Sequence, residues 1–208
     1  MIEVVVSDFG GVISTPLADA FASFQDTSGI EPGQLGAALG KLSLSRGANP
    51  LFELECGRMT EPEFLRILGE KISEDLGRTV EMHEFSDHYW GALQTNHDMV
   101  DWLHSAKARG LRLALLTNNV REWEPRWRSM APIDDLFEVI VDSAFVGVRK
   151  PDPRIFEIAT DRLECEPGAC VLIDDMAANC DAARSLGWEA VQFTETAPTL
   201  AQLEELLG

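Results

Sequence analysis

The chain has 208 residues, room for one sizeable domain or for a compact domain carrying an insertion. Thirty-five acidic residues against seventeen basic ones give a net charge of -18, which repels phosphate backbones and anionic lipid and argues against nucleic-acid or membrane-surface roles. With 45% hydrophobic residues the chain can bury a real core, and no apolar run approaches the roughly 20 residues that span a bilayer.

The opening residues, Met1 to Val6, lack the basic region and cleavage site of a signal peptide and read as a strand. Val4-Val5-Val6-Ser7-Asp8 is apolar on both faces and closes on a carboxylate. Three later apolar runs also close on polar residues, Leu111 to Leu116 ending in Thr117-Asn118, Val139 to Asp142 and Val171 to Asp175, and a further run, Ala190 to Phe193, follows. Runs of this kind suit strands buried between two helix layers of a parallel sheet.

Between the first and second strands, from about Thr15 to Asn96, the pattern is helical throughout. Leu17, Phe21 and Phe24 form one apolar stripe, and Leu35, Ala38, Leu39 and Leu42 form another. Thr60-Glu61-Pro62-Glu63 reads as a capping box ahead of Phe64, Ile67, Leu68 and Ile72. Met82, Phe85 and Tyr89 suggest a fourth helix. Beyond it, Met99, Trp102, Leu103 and Ala106 predict a helix stopped at Gly110, Asp152-Pro153 opens another, and Thr199 to Leu207 closes the chain. The expected architecture is a doubly wound α/β fold with a parallel sheet, residues 1–14 and 97–208, carrying an inserted helical bundle over 15–96.

Cys56, Cys165, Cys170 and Cys180 include no CxxC pair, and His83, His88, His97 and His104 all fall between the first two of them. That spacing is wrong for a zinc site and suits reduced cysteines of a cytoplasmic protein.

Four polar clusters stand at or just beyond the C-terminal ends of expected strands, the edge where open α/β sheets bind ligands. They are Asp8 with Gly10-Gly11, Thr117-Asn118, Lys150, and Asp174-Asp175. A lone strand-end Asp is most often a helix cap, and a lone Lys-Pro a solvated turn. Their occurrence together, in this order, points to one site.

The stretches Val5 to Val12, Leu115 to Asn119, Arg149 to Pro153 and Leu172 to Asn179, with Leu54 to Glu61 in the insertion, resemble the haloacid dehalogenase-like hydrolases, which are mostly magnesium-dependent phosphatases. Within that family the resemblance is to the helical-cap branch that includes glucose-1-phosphate phosphatase and the phosphatase domain of soluble epoxide hydrolase. It implies that Asp8 is the nucleophile, that Thr117 and Lys150 bind and neutralise phosphate, and that Gly10, Gly11 and Asn118 donate further hydrogen bonds. It also implies a Mg2+ site formed by Asp8, the Gly10 carbonyl, Asp174 and Asp175, and a small phosphorylated metabolite as substrate. The family's phosphatases usually carry a second Asp two residues after the nucleophile as general acid and base, and here that position is Gly10. Phosphates with good leaving groups, namely anomeric sugar phosphates, acyl phosphates or aryl phosphates, are therefore expected to be favoured.

Candidates for substrate contact in the cap are Ser14, Thr15 and the polar stretch Ser43 to Asn49 including Arg46; Trp123 and Trp127 are candidates for the pocket mouth. Two alternative functions fit the same motifs: a non-catalytic phosphate-binding module, and a metal-free 2-haloacid dehalogenase. The expected assembly is a monomer or homodimer.

Overall fold

Hydrogen bonding joins the apolar runs into one five-stranded parallel sheet: β1 (Val4–Ser7), β2 (Arg112–Thr117), β3 (Val139–Asp142), β4 (Cys170–Asp174) and β5 (Glu189–Gln192), in the order β3-β2-β1-β4-β5. The structure, a computed structural model, describes residues 1–16, 24–26, 28–82 and 84–208. Its named helices are α1 (Pro32–Arg46), α2 (Pro50–Glu55), α3 (Glu61–Leu76), α4 (Phe85–Ala92), α5 (His97–Ala108), α6 (Glu124–Met130), α7 (Ile133–Leu136), α8 (Ser143–Val146), α9 (Pro153–Leu163), α10 (Ala177–Ser185) and α11 (Thr196–Leu207). Among the described residues no helix is long and apolar enough to cross a membrane.

The sheet is buried on both faces, which is why its strands show no polar alternation. Val5, Leu115 and Ile173 pack with Met99 and Leu103 of α5 and Leu203 of α11. Val4, Val6 and Leu172 pack on the opposite face with Ile155 and Phe156 of α9 and Ala183 of α10. Three successive β-branched valines with no exposed surface make β1 a well-suited central strand. Because β1 lies between β2 and β4, the residue after it emerges with Thr117 to one side and Asp174 to the other. The sheet topology therefore assembles the polar clusters.

Helices α1 to α4 build a separate apolar cluster around Leu35, Leu54, Phe64, Leu68, Ile72 and Phe85. The two chain crossings that lead into and out of this bundle run side by side. Ser14 and Thr95 form an antiparallel bridge, Thr15 N–H donates to Gln94 O at 2.8 Å, and Asn96 N–H donates to Ile13 O at 2.7 Å. Asn96 also caps α5 through Met99 N–H and donates from Nδ2 to Val12 O.

Several expectations need adjustment. Helix α4 begins at Phe85, so Met82 packs from the segment before it. Thr60 Oγ1 accepts from Glu63 N–H at 3.4 Å, one half of the reciprocal capping pair. The short helices α6, α7 and α8 carry too few residues to leave a periodic signal. Cys165 and Cys170, apart in the sequence reading, bring their sulfurs to 3.4 Å as free thiols. Leu17, Phe21 and His83 lie outside the described residues.

The bundle rests on the turn that leads to Lys150. Arg58 grips Glu53 through two nitrogens and donates to Gly147 O at 2.9 Å, while Ser143 Oγ donates to Glu55 O at 2.6 Å. Gly57 makes the close approach possible: its φ is +65°, and a Cβ there would stand 2.3 Å from Ala144 O. Gly57→Ala is expected to lower stability by about 2 kcal/mol, from left-handed strain and the steric clash together. A urea midpoint equal to that of the wild type would contradict this packing.

Candidate active site

The site is organised around a lysine with no exposed surface. Lys150 Nζ donates to Leu116 O at 2.6 Å and to Asp174 Oδ2 at 2.6 Å, and pairs with Asp8 Oδ1 at 3.0 Å. Its three N–H groups thus tie together the ends of β2, β4 and β1, and none is left over. Burial opposes the ammonium charge, yet Asp174 and Asp8 hold its pKa above the usual lysine range. Asn118 fixes the lysine's main chain from both sides: Lys150 N–H donates to Asn118 Oδ1 at 2.8 Å, and Asn118 Nδ2 donates to Lys150 O at 3.0 Å. The Asn118 side chain is therefore a clamp on Lys150, with one of its two Nδ2 hydrogens committed to it.

Three carboxylates crowd this cation. Asp8, Asp174 and Asp175 each offer an oxygen, and those oxygens lie within 4.8 Å of one another. Burial pushes the Asp8 carboxyl up to about 7; Lys150 pulls it down, and Asp174 and Asp175 push it up further. Burial and Asp174 likewise raise Asp175. One ammonium facing three carboxylates leaves the cluster short of positive charge. A hard dication that binds a few carboxylates matches this donor set.

Asp8 Oδ1 is occupied by Lys150 and by Phe9 N–H at 2.7 Å, whereas Oδ2 takes no hydrogen bond among the described residues. Thr117, 1% exposed, ends the neighbouring strand. Gly11 adopts φ +73°, and a Cβ there would come 2.7 Å from Asp175 Oδ2, so only glycine lets that carboxylate approach. Gly11 N–H donates to Ser14 Oγ at 3.2 Å.

Two contributions escape sequence reasoning. Asn179, on the first turn of α10, donates Nδ2 to Asp174 Oδ1 at 2.8 Å, where Met176 N–H also donates. The signals for it were its place at the end of the Leu172 to Asn179 stretch and its position five residues after the first acid of the doublet. Glu55 of the bundle pairs with Arg149, one residue before Lys150, and burial raises its carboxyl pKa against the pull of that arginine. Nothing local marks a pair 94 residues apart.

A cavity of about 230 Å³ adjoins the cluster. Phe9, Gly10, Asn118 and Asn119 form its floor, and leucines of α1 and α2 together with Phe64, Leu68, Tyr89 and Trp90 form much of the rest. Trp123 lines it, but Trp127 is buried in the core against Phe9. Ser14 lines it too, while Thr15 Oγ1 accepts from Gln94 N–H in the paired crossings. Arg46 is exposed at the end of α1 and is not part of the lining; Asn49 caps α2 through Leu51 N–H. The polar stretch 43–49 thus ends one helix and starts the next.

A family profile described as haloacid dehalogenase-like hydrolase matches residues 2–187. The chain is 28% identical over 209 residues to acyl-CoA dehydrogenase family member 10 of Mus musculus, covering 98% of this chain and 19% of that protein. It is 23% identical over 219 residues to bifunctional epoxide hydrolase 2 of Rattus norvegicus, covering 100% of this chain and 39% of that protein. It therefore spans well under half the length of these two relatives. A sesquiterpene phosphatase of Aspergillus oryzae is 23% identical over 218 residues, 99% of this chain and 97% of that one. A HAD family enzyme of Bacteroides thetaiotaomicron, crystallised with magnesium and inorganic phosphate, shares the fold at a TM-score of 0.72 and 21% identity, covering 96% of this chain and 99% of that one.

Lys150→Met would leave two buried carboxylates facing each other without their cation. At pH 8 the loss of stability is expected to be about 3–5 kcal/mol. Carboxyls whose folded pKa is raised stabilise the fold in their protonated form, so the deficit should shrink at pH 5. Equal deficits in urea unfolding at the two pH values would count against this account.

Proposed function

The chain belongs to the haloacid dehalogenase-like hydrolases, and we propose that it is a magnesium-dependent phosphatase of small phosphorylated metabolites with Asp8 as nucleophile. The observation that carries this reading is Asp8 itself, held by one carboxylate oxygen and open at the other. Oδ2 attacks phosphorus, the bond from phosphorus to the ester oxygen breaks, and its electron pair leaves with the alcohol oxygen. Water then hydrolyses the aspartyl-phosphate and returns the carboxylate.

Each neighbour has a distinct task in that sequence. Lys150 orients Asp8 and supplies positive charge from beneath the phosphoryl group. Thr117 offers its hydroxyl at the end of the adjacent strand. Asp174, immobilised by Lys150, Asn179 and Met176 N–H, and Asp175, packed against Gly11, would hold Mg2+ together with Asp8 and the Gly10 carbonyl. The bound ion would supply charge neutralisation for the non-bridging oxygens.

Gly10 has no side chain with which to protonate the departing oxygen, a contribution worth about 10²–10⁴-fold in rate where it exists. Initial rates should therefore follow leaving-group acidity, with p-nitrophenyl phosphate and acyl phosphates above simple alkyl phosphates. A preference for alkyl phosphates would sink this part of the proposal. Asp8→Asn is expected to abolish p-nitrophenyl phosphate turnover, and EDTA is expected to do the same in the wild type. Full p-nitrophenyl phosphate turnover in EDTA would remove the metal from the reading, halide release from a 2-haloacid in EDTA would favour metal-free dehalogenation, and turnover unaffected by Asp8→Asn would remove the nucleophile.

The same cluster predicts a metal-dependent stability profile. A carboxyl lifted from 3.8 to about 7 on folding stabilises the protein fully below pH 4 and less as pH climbs through 7. Added Mg2+ should therefore raise the melting temperature more at pH 8 than at pH 5, where protons compete for the same oxygens. A larger magnesium shift at pH 5 would exclude these carboxylates as ligands.

A further inference from the structure

We propose that the substrate carries its phosphate on an apolar aryl body rather than on a sugar or other hydroxyl-rich frame. This deepens the phosphatase reading and rests on it. The cavity adjoins the phosphoryl end of the site, because Gly10, two residues after Asp8, and Asn118, next to Thr117, line it. Its volume of about 230 Å³ is some seven or eight times the roughly 30 Å³ that one water occupies in the liquid, enough for a ring or a short branched chain.

The walls decide what that body is made of. Among the described residues they include no arginine, lysine, histidine or glutamine. Most polar side chains on them already have a partner, although the indole N–H of Trp90 is buried without one among the described residues. Ser14 accepts from Gly11 N–H and donates to Thr15 O. Glu55 is paired with Arg149, and Asn118 gives its Oδ1 and one of its two Nδ2 hydrogens to the main chain of Lys150. Asn119 Oδ1 accepts from Val120 N–H at 2.9 Å. Sugar hydroxyls placed here would give up water and find few free partners, whereas methylenes and rings lose nothing.

The aromatic residues argue in the same direction. Tyr89 and Trp123 stack with centroids 4.9 Å apart, and Trp90 meets Trp123 edge-on at 5.6 Å. These rings touch one another and form a wall, not a cage with room for a quaternary ammonium between them. Leu39, Leu51 and Leu54 complete the apolar lining from the insertion. The insertion thus reads the body of the substrate, while the sheet edge reads the phosphate.

The test uses para-alkylphenyl phosphates from phenyl to propylphenyl, whose leaving groups differ little in acidity, with glucose 1-phosphate and acetyl phosphate as polar and small comparators. The matching non-hydrolysable phenylphosphonates are titrated by calorimetry with Mg2+ present. Affinity and kcat/KM should each rise about fourfold per added methylene until the cavity fills. In Leu39→Asp, at a half-buried position chosen so that the fold survives, that rise should flatten relative to the variant's own phenyl compound. A flat or falling series in the wild type, or a higher kcat/KM for glucose 1-phosphate, overturns the inference while leaving the phosphatase reading intact. Rising phosphonate affinity without turnover of any ester, acetyl phosphate included, overturns the phosphatase reading and leaves the apolar subsite standing.

Discussion

One buried ammonium holds this protein's functional edge together. Lys150 has no exposed surface and gives its three hydrogens to a main-chain carbonyl and two carboxylates from three adjacent strands. A charge so placed is costly unless fully partnered, and here the partners are Asp8 and Asp174 themselves. The sheet brings the acids together, the lysine keeps their repulsion tolerable, and Asn118 keeps the lysine in position. The remaining excess of negative charge, visible in the raised pKa values of Asp8 and Asp175, is what makes a dication a natural complement.

The two halves of the pocket divide their tasks by chemistry. The sheet edge supplies charge and directed hydrogen bonds, and the inserted helices supply aliphatic and aromatic surface. Gly10 sits where they meet. On the proposed reading its lack of a side chain leaves no proton donor there, and Gly10 itself lines the apolar cavity two residues from Asp8. On that reading a missing acid favours the acidic leaving oxygen of an aryl ester, and the apolar lining favours a ring as the body, so the two point the same way.

Much of this was legible in the sequence, and for identifiable reasons. Strands buried on both faces announce themselves as uninterrupted apolar runs, and a polar residue ending such a run, as Asp8, Thr117 and Asp174 do, marks the ligand-binding edge. What stayed hidden depends on side-chain geometry. That the hydrogens of Lys150 are already committed, that Asn118 clamps the main chain of Lys150, and that Glu55 finds Arg149 follow from three-dimensional placement alone. Arg46 looked like an anion contact because it was the one basic residue in a polar stretch, yet α1 carries it to solvent at its last turn. Trp123 and Trp127 share one sequence pattern and separate in space, since a turn of 3₁₀ helix ends between them and aims one at the cavity and the other at Phe9.

The paired crossings at Ser14 and Thr95 have a consequence for how such a molecule can change over time. Because the inserted chain leaves and re-enters through neighbouring extended segments hydrogen-bonded to each other, its ends are already closed by the ladder and not by the insert's own packing. The entropic cost of closing a longer or shorter excursion grows only slowly with its length. The gateway can therefore accept a different lid without disturbing the catalytic floor below it, so new specificities can be grafted onto an unchanged reaction.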